Sequence, residues 1–243
     1  MRPRLRQKSE VIDIVANNQS GQALVAAGIR KSYRSPLGPL EVLQGVDLEV
    51  QRGTILAIVG TSGAGKSTLL NILGTLDHPD SGVVEIAGRR VDHLKDRELA
   101  RVRATKLGFV FQFHHLLPEF SAEENVMMPL LIAGADPASA RSRAREALAS
   151  VGLVERWQHR PAELSGGEAQ RVAVARALVP SPELVLADEP SGNLDHGSAA
   201  ALHDLLTSLA RDRGQTFVVV THNDRLALRA DRVLTLESGR LRG

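Results

Sequence analysis

Gly60-Thr61-Ser62-Gly63-Ala64-Gly65-Lys66-Ser67 is the stretch on which the fold turns. It fits the pattern G-x-x-x-x-G-K-[ST], and it follows the apolar run Thr54 to Val59 and precedes a helical pattern, the strand–loop–helix setting that gives the motif its meaning. Glycines let such a loop wrap tightly and aim backbone N–H groups at an anion, while the helix beginning near Lys66 adds the positive end of its dipole. Lys66 is then placed to neutralise β- and γ-phosphates. The Ser67 hydroxyl suits the oxygen coordination of Mg²⁺, an ion that reaches such sites together with substrate phosphates. Gly60, Thr61, Ser62, Gly63, Ala64, Gly65, Lys66, Ser67 and the adjoining Thr68 form the candidate cradle.

Further along, Leu184-Val185-Leu186-Ala187 ends in Asp188-Glu189, which sets two carboxylates at the carboxyl end of a buried strand. Two acids in that position usually cap a helix; a phosphate loop elsewhere in the chain reverses the reading. Asp188 is suited to hold Mg²⁺ through its water shell, and Glu189 to orient or deprotonate the water that attacks the γ-phosphate. His222 follows the strand Phe217 to Val220 and is a candidate γ-phosphate contact.

Around these motifs the chain alternates short β-rich runs with helical ones from about residue 23 onward, as α/β folds do. Leu24 to Ile29 and Leu40 to Val50 read as strands of a small antiparallel layer, with Ser35-Pro36-Leu37-Gly38-Pro39 as the turn. Glu183 to Ala187, Thr216 to Val220 and Val233 to Glu237 read as core strands, and about Ser198 to Arg213 as a long helix. Between Phe113 and Leu164 the β signal gives way to helices. One starts at the capping box Ser121/Glu124, another at Asp136-Pro137 with Ala140, Ala144, Leu148 and Val151 at helical spacing up to Gly152. The expected architecture is α/β: a P-loop NTPase (RecA-like) core with an N-terminal antiparallel β subdomain and an inserted helical subdomain at about 113–165. Residues 1–22 are expected to be a flexible extension and 23–243 a single ATPase domain.

Composition narrows the function. No apolar run in the 243 residues approaches the ~20 needed to cross a membrane, no secretion signal is apparent, and a cytoplasmic protein is expected. Absence of cysteine excludes disulfides and thiolate metal sites. With 30 Lys and Arg against 28 Asp and Glu, the net charge of +2 argues against a large nucleic-acid footprint. Arg2, Arg4, Arg6 and Lys8 concentrate basic charge in the tail, where a solvated extension is the expected reading. His114-His115 lacks a third nearby ligand and reads as part of a loop rather than a metal site.

Leu164-Ser165-Gly166-Gly167-Glu168-Ala169-Gln170-Arg171 has capping-box spacing and opens a helix through Val172, Val174, Ala175 and Leu178. It also resembles the signature of ABC-type ATPases, a likeness that runs from about Leu24 to the C-terminus. The resemblance implies an ATP hydrolase in which Ser165, Gly166 and Gly167 are offered to the ATP of the opposite subunit, so that a homodimer encloses two nucleotides. It implies that Tyr33 stacks on adenine and that Gln112 senses Mg²⁺ and the attacking water. It implies that Asp195, in Ser191-Gly192-Asn193-Leu194-Asp195, crosses the dimer interface and that His222 is the switch histidine. Ser191 stands where threonine is more usual and Thr54 where glutamate is common; neither is expected to touch phosphate.

Gly74-Thr75-Leu76-Asp77 and Phe111-Gln112-Phe113-His114-His115-Leu116-Leu117-Pro118-Glu119-Phe120 are similar to the lipoprotein-releasing LolD subgroup. That likeness implies inner-membrane permease partners of the LolC/LolE kind, a peripheral location on the cytoplasmic face of the inner membrane, and release of lipoproteins. A MacB-like efflux or FtsE-like cell-division ATPase is the alternative. A soluble ABC ATPase acting on DNA or ribosomes has no support from coiled-coil insertions, zinc motifs or a second ATPase domain.

Overall fold

The computed structural model describes residues 21–36 and 38–243. The basic tail with Arg2, Arg4, Arg6 and Lys8, and Leu37 of the expected turn, lie outside the described residues. The expected extension reaches one step too far into the fold: Gln22 already opens a strand, and the Gly21 carbonyl accepts from the Arg52 N–H at 2.8 Å.

Strands β1 (Gln22–Ser35) and β2 (Gly38–Gln51) pair antiparallel from Gln22↔Gln51 to Ser35↔Gly38. With β4 (Ser81–Ile86) and β5 (Arg89–Arg90) they make a four-stranded antiparallel sheet in the order β2-β1-β4-β5. The second sheet contains β3 (Ile55–Val59), β6 (Leu107–Phe111), β7 (Leu184–Asp188), β8 (Phe217–Val220), β9 (Arg232–Glu237) and β10 (Arg240–Arg242), in the order β10-β9-β3-β8-β7-β6. All its pairs are parallel except β10 with β9.

Successive side chains of a strand point to opposite faces, and both faces of this sheet are covered. Ile55, Val185, Ala187, Phe217 and Val219 join one core cluster, whereas Leu56, Ile58, Leu184, Leu186, Val218 and Val220 join the other. The second cluster is closed by the antiparallel sheet through Leu24, Leu43 and Val84, by α1 (Lys66–Leu73) through Leu69 and Leu73, and by α2 (Asp96–Lys106) through Leu99 and Val102. Fully buried side chains of this size contribute about 1.5–3 kcal/mol each, which is why these strands read as continuous apolar runs.

The first cluster extends from the sheet into α3 (Ala122–Ile132), α4 (Pro137–Ser150) and α5 (Gly166–Leu178), drawing in Val126, Leu148 and Val174, and into α6 (His196–Arg213) through Leu206. Each of these helices starts as the sequence dictates. Ser121 and Glu124 form a reciprocal capping box, Asp136 accepts from the N–H groups of Ala138 and Ser139 with Pro137 at the first position, and Asp195 accepts from those of Gly197 and Ser198. Such caps are worth ~1 kcal/mol apiece. Glu123 is buried on α3 but ion-paired with Arg145 and Arg141, and the Arg145 guanidinium lies 4.1 Å from the Trp157 ring centroid, so its charge is met from two sides. The last helix is α7 (Asp224–Ala227).

Candidate nucleotide site

The parallel strands β3, β8 and β7 lie side by side in one register, with Ile58 opposite Val220 and Val220 opposite Asp188. Their carboxyl ends therefore deliver the phosphate loop, His222 and the Asp188-Glu189 pair to one edge of the sheet. A cavity of about 520 Å³ opens there. Its walls are Gly60, Ser62, Gly63 and Gly65 of the loop, Lys66, Ser67 and Thr68 of α1, Asp188, Glu189 and His222, and from the antiparallel layer Tyr33 and Val42.

The loop owes its shape to glycine. Any Cβ on Gly60 would lie 2.3 Å from the Leu236 carbonyl oxygen, and Gly65, the N-cap of α1, takes a left-handed φ of 100°. The Lys66 ammonium curls over the loop and donates to the carbonyls of Gly60 at 2.8 Å and Thr61 at 2.9 Å. Ala64 closes the loop by donating its N–H to the Thr61 carbonyl at 3.2 Å, and neither Thr61 nor Ala64 lines the cavity. Burial pushes the Asp188 carboxyl above the ordinary carboxylate range, with the charge of Glu189 adding to it, against a hydrogen bond from Ser67 and the charge of Lys66.

Glu189 is held more tightly than its neighbours. Its φ of 46° is left-handed for a residue with a side chain, a conformation that costs about 1–3 kcal/mol and persists only where the surroundings impose it. Its N–H donates to the Val220 carbonyl at 2.9 Å. Its Oε2 accepts from the Thr221 hydroxyl at 3.1 Å and the His222 N–H at 3.2 Å, and its Oε1 meets His222 Nδ1 at 2.7 Å. The carboxylate is thus fixed from three sides while the His222 ring stays 71% exposed to the cavity.

Four expected residues lie elsewhere. Ser165 caps α5, with its hydroxyl accepting from the Glu168 N–H at 3.2 Å, and Asp195 caps α6. The two helix starts abut: a Cβ on Gly167 would meet the Ser198 hydroxyl at 2.8 Å, and one on Gly166 would meet Leu194 at 3.7 Å. None of Ser165, Gly166, Gly167 and Asp195 lines the cavity. The structure therefore sets two places apart on one chain, the loop cradle and a pair of neighbouring helix N-termini. Gln112 also stands outside the lining; its amide donates to Asn193 Oδ1 at 2.9 Å, tying β6 to the loop after Glu189. Ser191 is buried against His203 Nε2 at 2.9 Å and the Thr54 hydroxyl donates to the Gln51 carbonyl at 2.8 Å, so neither reaches the cradle.

Sequence reasoning missed Val42, Thr221 and Asn193. Val42 and Asn193 carry no chemical signal, but Thr221, a buried hydroxyl beside His222, was recognisable as a polar group in need of a partner.

Glu168 closes the capping box at α5 and accepts from Arg156 at 2.8 Å. The Ser165 N–H first, then Arg156, hold its carboxyl down at about 2 from an ordinary 4.5. A depressed carboxylate stabilises the fold above its unfolded value and loses that contribution as pH falls through its folded one. Urea unfolding is thus expected to show Glu168→Gln less stable than the parent above pH 4.5, the gap closing as pH falls towards about 2.

The family model described as ABC transporter matches residues 43–192, more than half of the chain. This chain belongs to the ABC transporter family. Among its relatives, the lipoprotein-releasing system ATP-binding protein LolD of Bacteroides thetaiotaomicron is 54% identical over 215 residues, 88% of this chain and 97% of that protein. LolD of Porphyromonas gingivalis is 53% identical over 216 residues, 89% and 97% of the two chains. Among solved structures, a dimeric post-hydrolysis state of the ATP-binding cassette MJ0796 bound to ADP and Pi is 38% identical, with a TM-score of 0.82 over 90% of this chain and 97% of that one. An ABC ATPase cassette is thus the frame on which the cavity of this chain is built.

Proposed function

We propose that the chain binds ATP with Mg²⁺ and hydrolyses it as the motor of a lipoprotein-releasing ABC transporter. The observation that carries this reading is the meeting of Lys66, Ser67, Asp188, Glu189 and His222 on one cavity while the Ser165-Gly166-Gly167 helix start of the same chain faces elsewhere. Each chain holds half of two sites, and a head-to-tail pair completes both: the cradle of one copy is closed by Ser165, Gly166 and Gly167 of the other, with Asp195 beside them at the junction.

Within the site, Lys66 balances the charge of the β- and γ-phosphates. Glu189 takes a proton from the attacking water as its oxygen bonds to the γ-phosphorus and the bond to the β-bridging oxygen breaks, giving ADP and phosphate. His222 orients the Glu189 carboxylate through Nδ1 and turns its exposed ring edge to the γ-phosphate. Tyr33 offers its ring to adenine. Gln112, bonded to Asn193, links the strand ends to the helical insertion at about 113–165 and so passes loss of the γ-phosphate into movement. Mg²⁺ suits the hard oxygens of Ser67 and Asp188, which line the same cavity. Among the described residues no cluster of three His, Cys, Asp or Glu can hold a metal, so the fit is for an ion that takes its other ligands from phosphates and water. When bound, Mg²⁺ neutralises charge that develops on the phosphate oxygens.

No helix among the described residues is long and apolar enough to cross a membrane. Phe113, 65% exposed in the loop after β6, and Ile132, 75% exposed at the end of α3, offer apolar surface for a membrane partner, a permease pair of the LolC/LolE kind. The chain then sits peripherally on the cytoplasmic face of the inner membrane. Lipoprotein release is favoured over efflux or cell division by the LolD relatives at 53–54% identity. Purification from solubilised membranes is expected to bring down a four-span permease with a large periplasmic domain; recovery of ribosomes or DNA instead would contradict the transporter reading.

A further inference from the structure

Gly74-Thr75-Leu76-Asp77 follows α1 directly and takes no part in the phosphate cradle. A Cβ on Gly74 would lie 2.6 Å from the Phe109 ring, so the chain leaves the helix pressed against β6. Thr75 then turns left-handed with φ 56°, and its carbonyl accepts the Arg103 guanidinium at 2.7 Å. The N–H groups of Leu76 and Asp77 both return to the Asn71 carbonyl, at 2.8 and 3.2 Å. This tight reversal carries Asp77 back alongside β1. There its Oδ2 accepts the Tyr33 phenol at 2.8 Å and its Oδ1 accepts the Lys31 ammonium at 2.7 Å. Lys31 also donates to the His78 carbonyl at 2.6 Å and stands 5.3 Å from the Tyr33 ring centroid.

We propose that Asp77, braced by Lys31, is a positioning residue that locks the Tyr33 ring as a ready-made stacking platform for the base of the nucleotide. The inference rests on the proposed contact between Tyr33 and adenine and names what prepares it. An unbraced tyrosine samples several χ1 rotamers and must surrender that freedom when a base stacks on it. Here the ring is held at both ends, by its backbone in β1 and by its hydroxyl on Asp77. Thr68, on the helix that follows the cradle, lines the same cavity as Tyr33, so base platform and phosphate cradle face one space. The otherwise unexplained Gly74-Thr75-Leu76-Asp77 run thereby acquires a purpose: a room-limited glycine and a left-handed threonine are what swing the carboxylate to the phenol oxygen.

The chain holds a single tyrosine, so the ultraviolet absorbance of its phenolate reports Tyr33 alone. Burial first, then the hydrogen bond to Asp77, raise this phenol above the ordinary 10.0, while Thr68 and Lys31 act the other way. Removing the carboxylate in Asp77→Ala is expected to move the titration midpoint to lower pH. It is also expected to weaken binding of Mg²⁺-ATP, read by calorimetry, about threefold to tenfold, the ordering of one side chain, and to raise KM with little change in kcat. Tyr33→Phe should weaken binding similarly, and Asp77→Ala added to Tyr33→Phe should cost nothing further, the coupling that a double-mutant cycle isolates. Asp77→Leu, close in volume and unable to accept from the phenol, stands in if the alanine variant folds poorly. A wild-type midpoint in Asp77→Ala, or equal weakening by Asp77→Ala with and without the phenol, would overturn the positioning role. Wild-type affinity in Tyr33→Ala would instead overturn the platform itself, and the inference with it.

Discussion

Glu189→Gln is expected to lower the maximal rate of ATP turnover about a hundredfold or more while leaving affinity for ATP within about twofold. The carboxamide has the size of the carboxylate, and its oxygen can still accept from the Thr221 hydroxyl and the His222 N–H, so the left-handed turn at Glu189 persists. What disappears is the basic oxygen at 2.7 Å from His222 Nδ1, the group proposed to receive a proton as water attacks. Loss of a general base removes about 10²–10⁴ in rate. Phosphate-release kinetics at saturating Mg²⁺-ATP measure it, and a variant retaining most of the parental rate would remove Glu189 from the chemistry.

Lys66→Ala is expected to act on binding instead. Its ammonium reaches the carbonyls of Gly60 and Thr61 at 2.8 and 2.9 Å, which places the only cation among the cavity-lining residues at the mouth of the loop. Truncating one partner of a desolvated charge pair costs roughly 2–5 kcal/mol, a loss in ATP affinity of about 30-fold or more. Turnover should fall with it. Titration calorimetry distinguishes this from the Glu189 variant, since one loses the substrate and the other loses only the reaction; near-parental affinity in Lys66→Ala would contradict the cradle.

What the sequence made legible was whatever local physics dictates. The strand–loop–helix at Gly60, the capping boxes at Ser121 and Ser165, and the Asp136-Pro137 helix start all stand where residue type and spacing put them. Strands β4 and β6 were hidden for a different reason. Strand β6 follows the last residue of α2 without a turn signal, and its Gly108 is dictated by distant packing, since a Cβ there would lie 2.5 Å from the Ala177 carbonyl. Gly82 in β4 likewise leaves room for the Ala27 and Gly28 carbonyls of β1.

The site divides along the same line. Its cradle and carboxylate pair are contiguous strings and could be read directly. The bonds that hold the Glu189 carboxylate come from residues 32 and 33 positions away, and the Tyr33–Asp77 bond spans 44, distances at which no periodic pattern survives. Ser165 shows the opposite limit: its helix-capping role is visible within one chain, but the phosphate we propose it closes on belongs to another.

Sedimentation of Glu189→Gln with Mg²⁺-ATP tests that division of labour most directly. The variant should run at twice the 26.2 kDa of the chain when ATP is present and at the single-chain mass without it, and Gly167→Arg introduced beside it should abolish pairing while ATP still binds. A Glu189→Gln chain that stays single with ATP demonstrably bound would contradict the shared site.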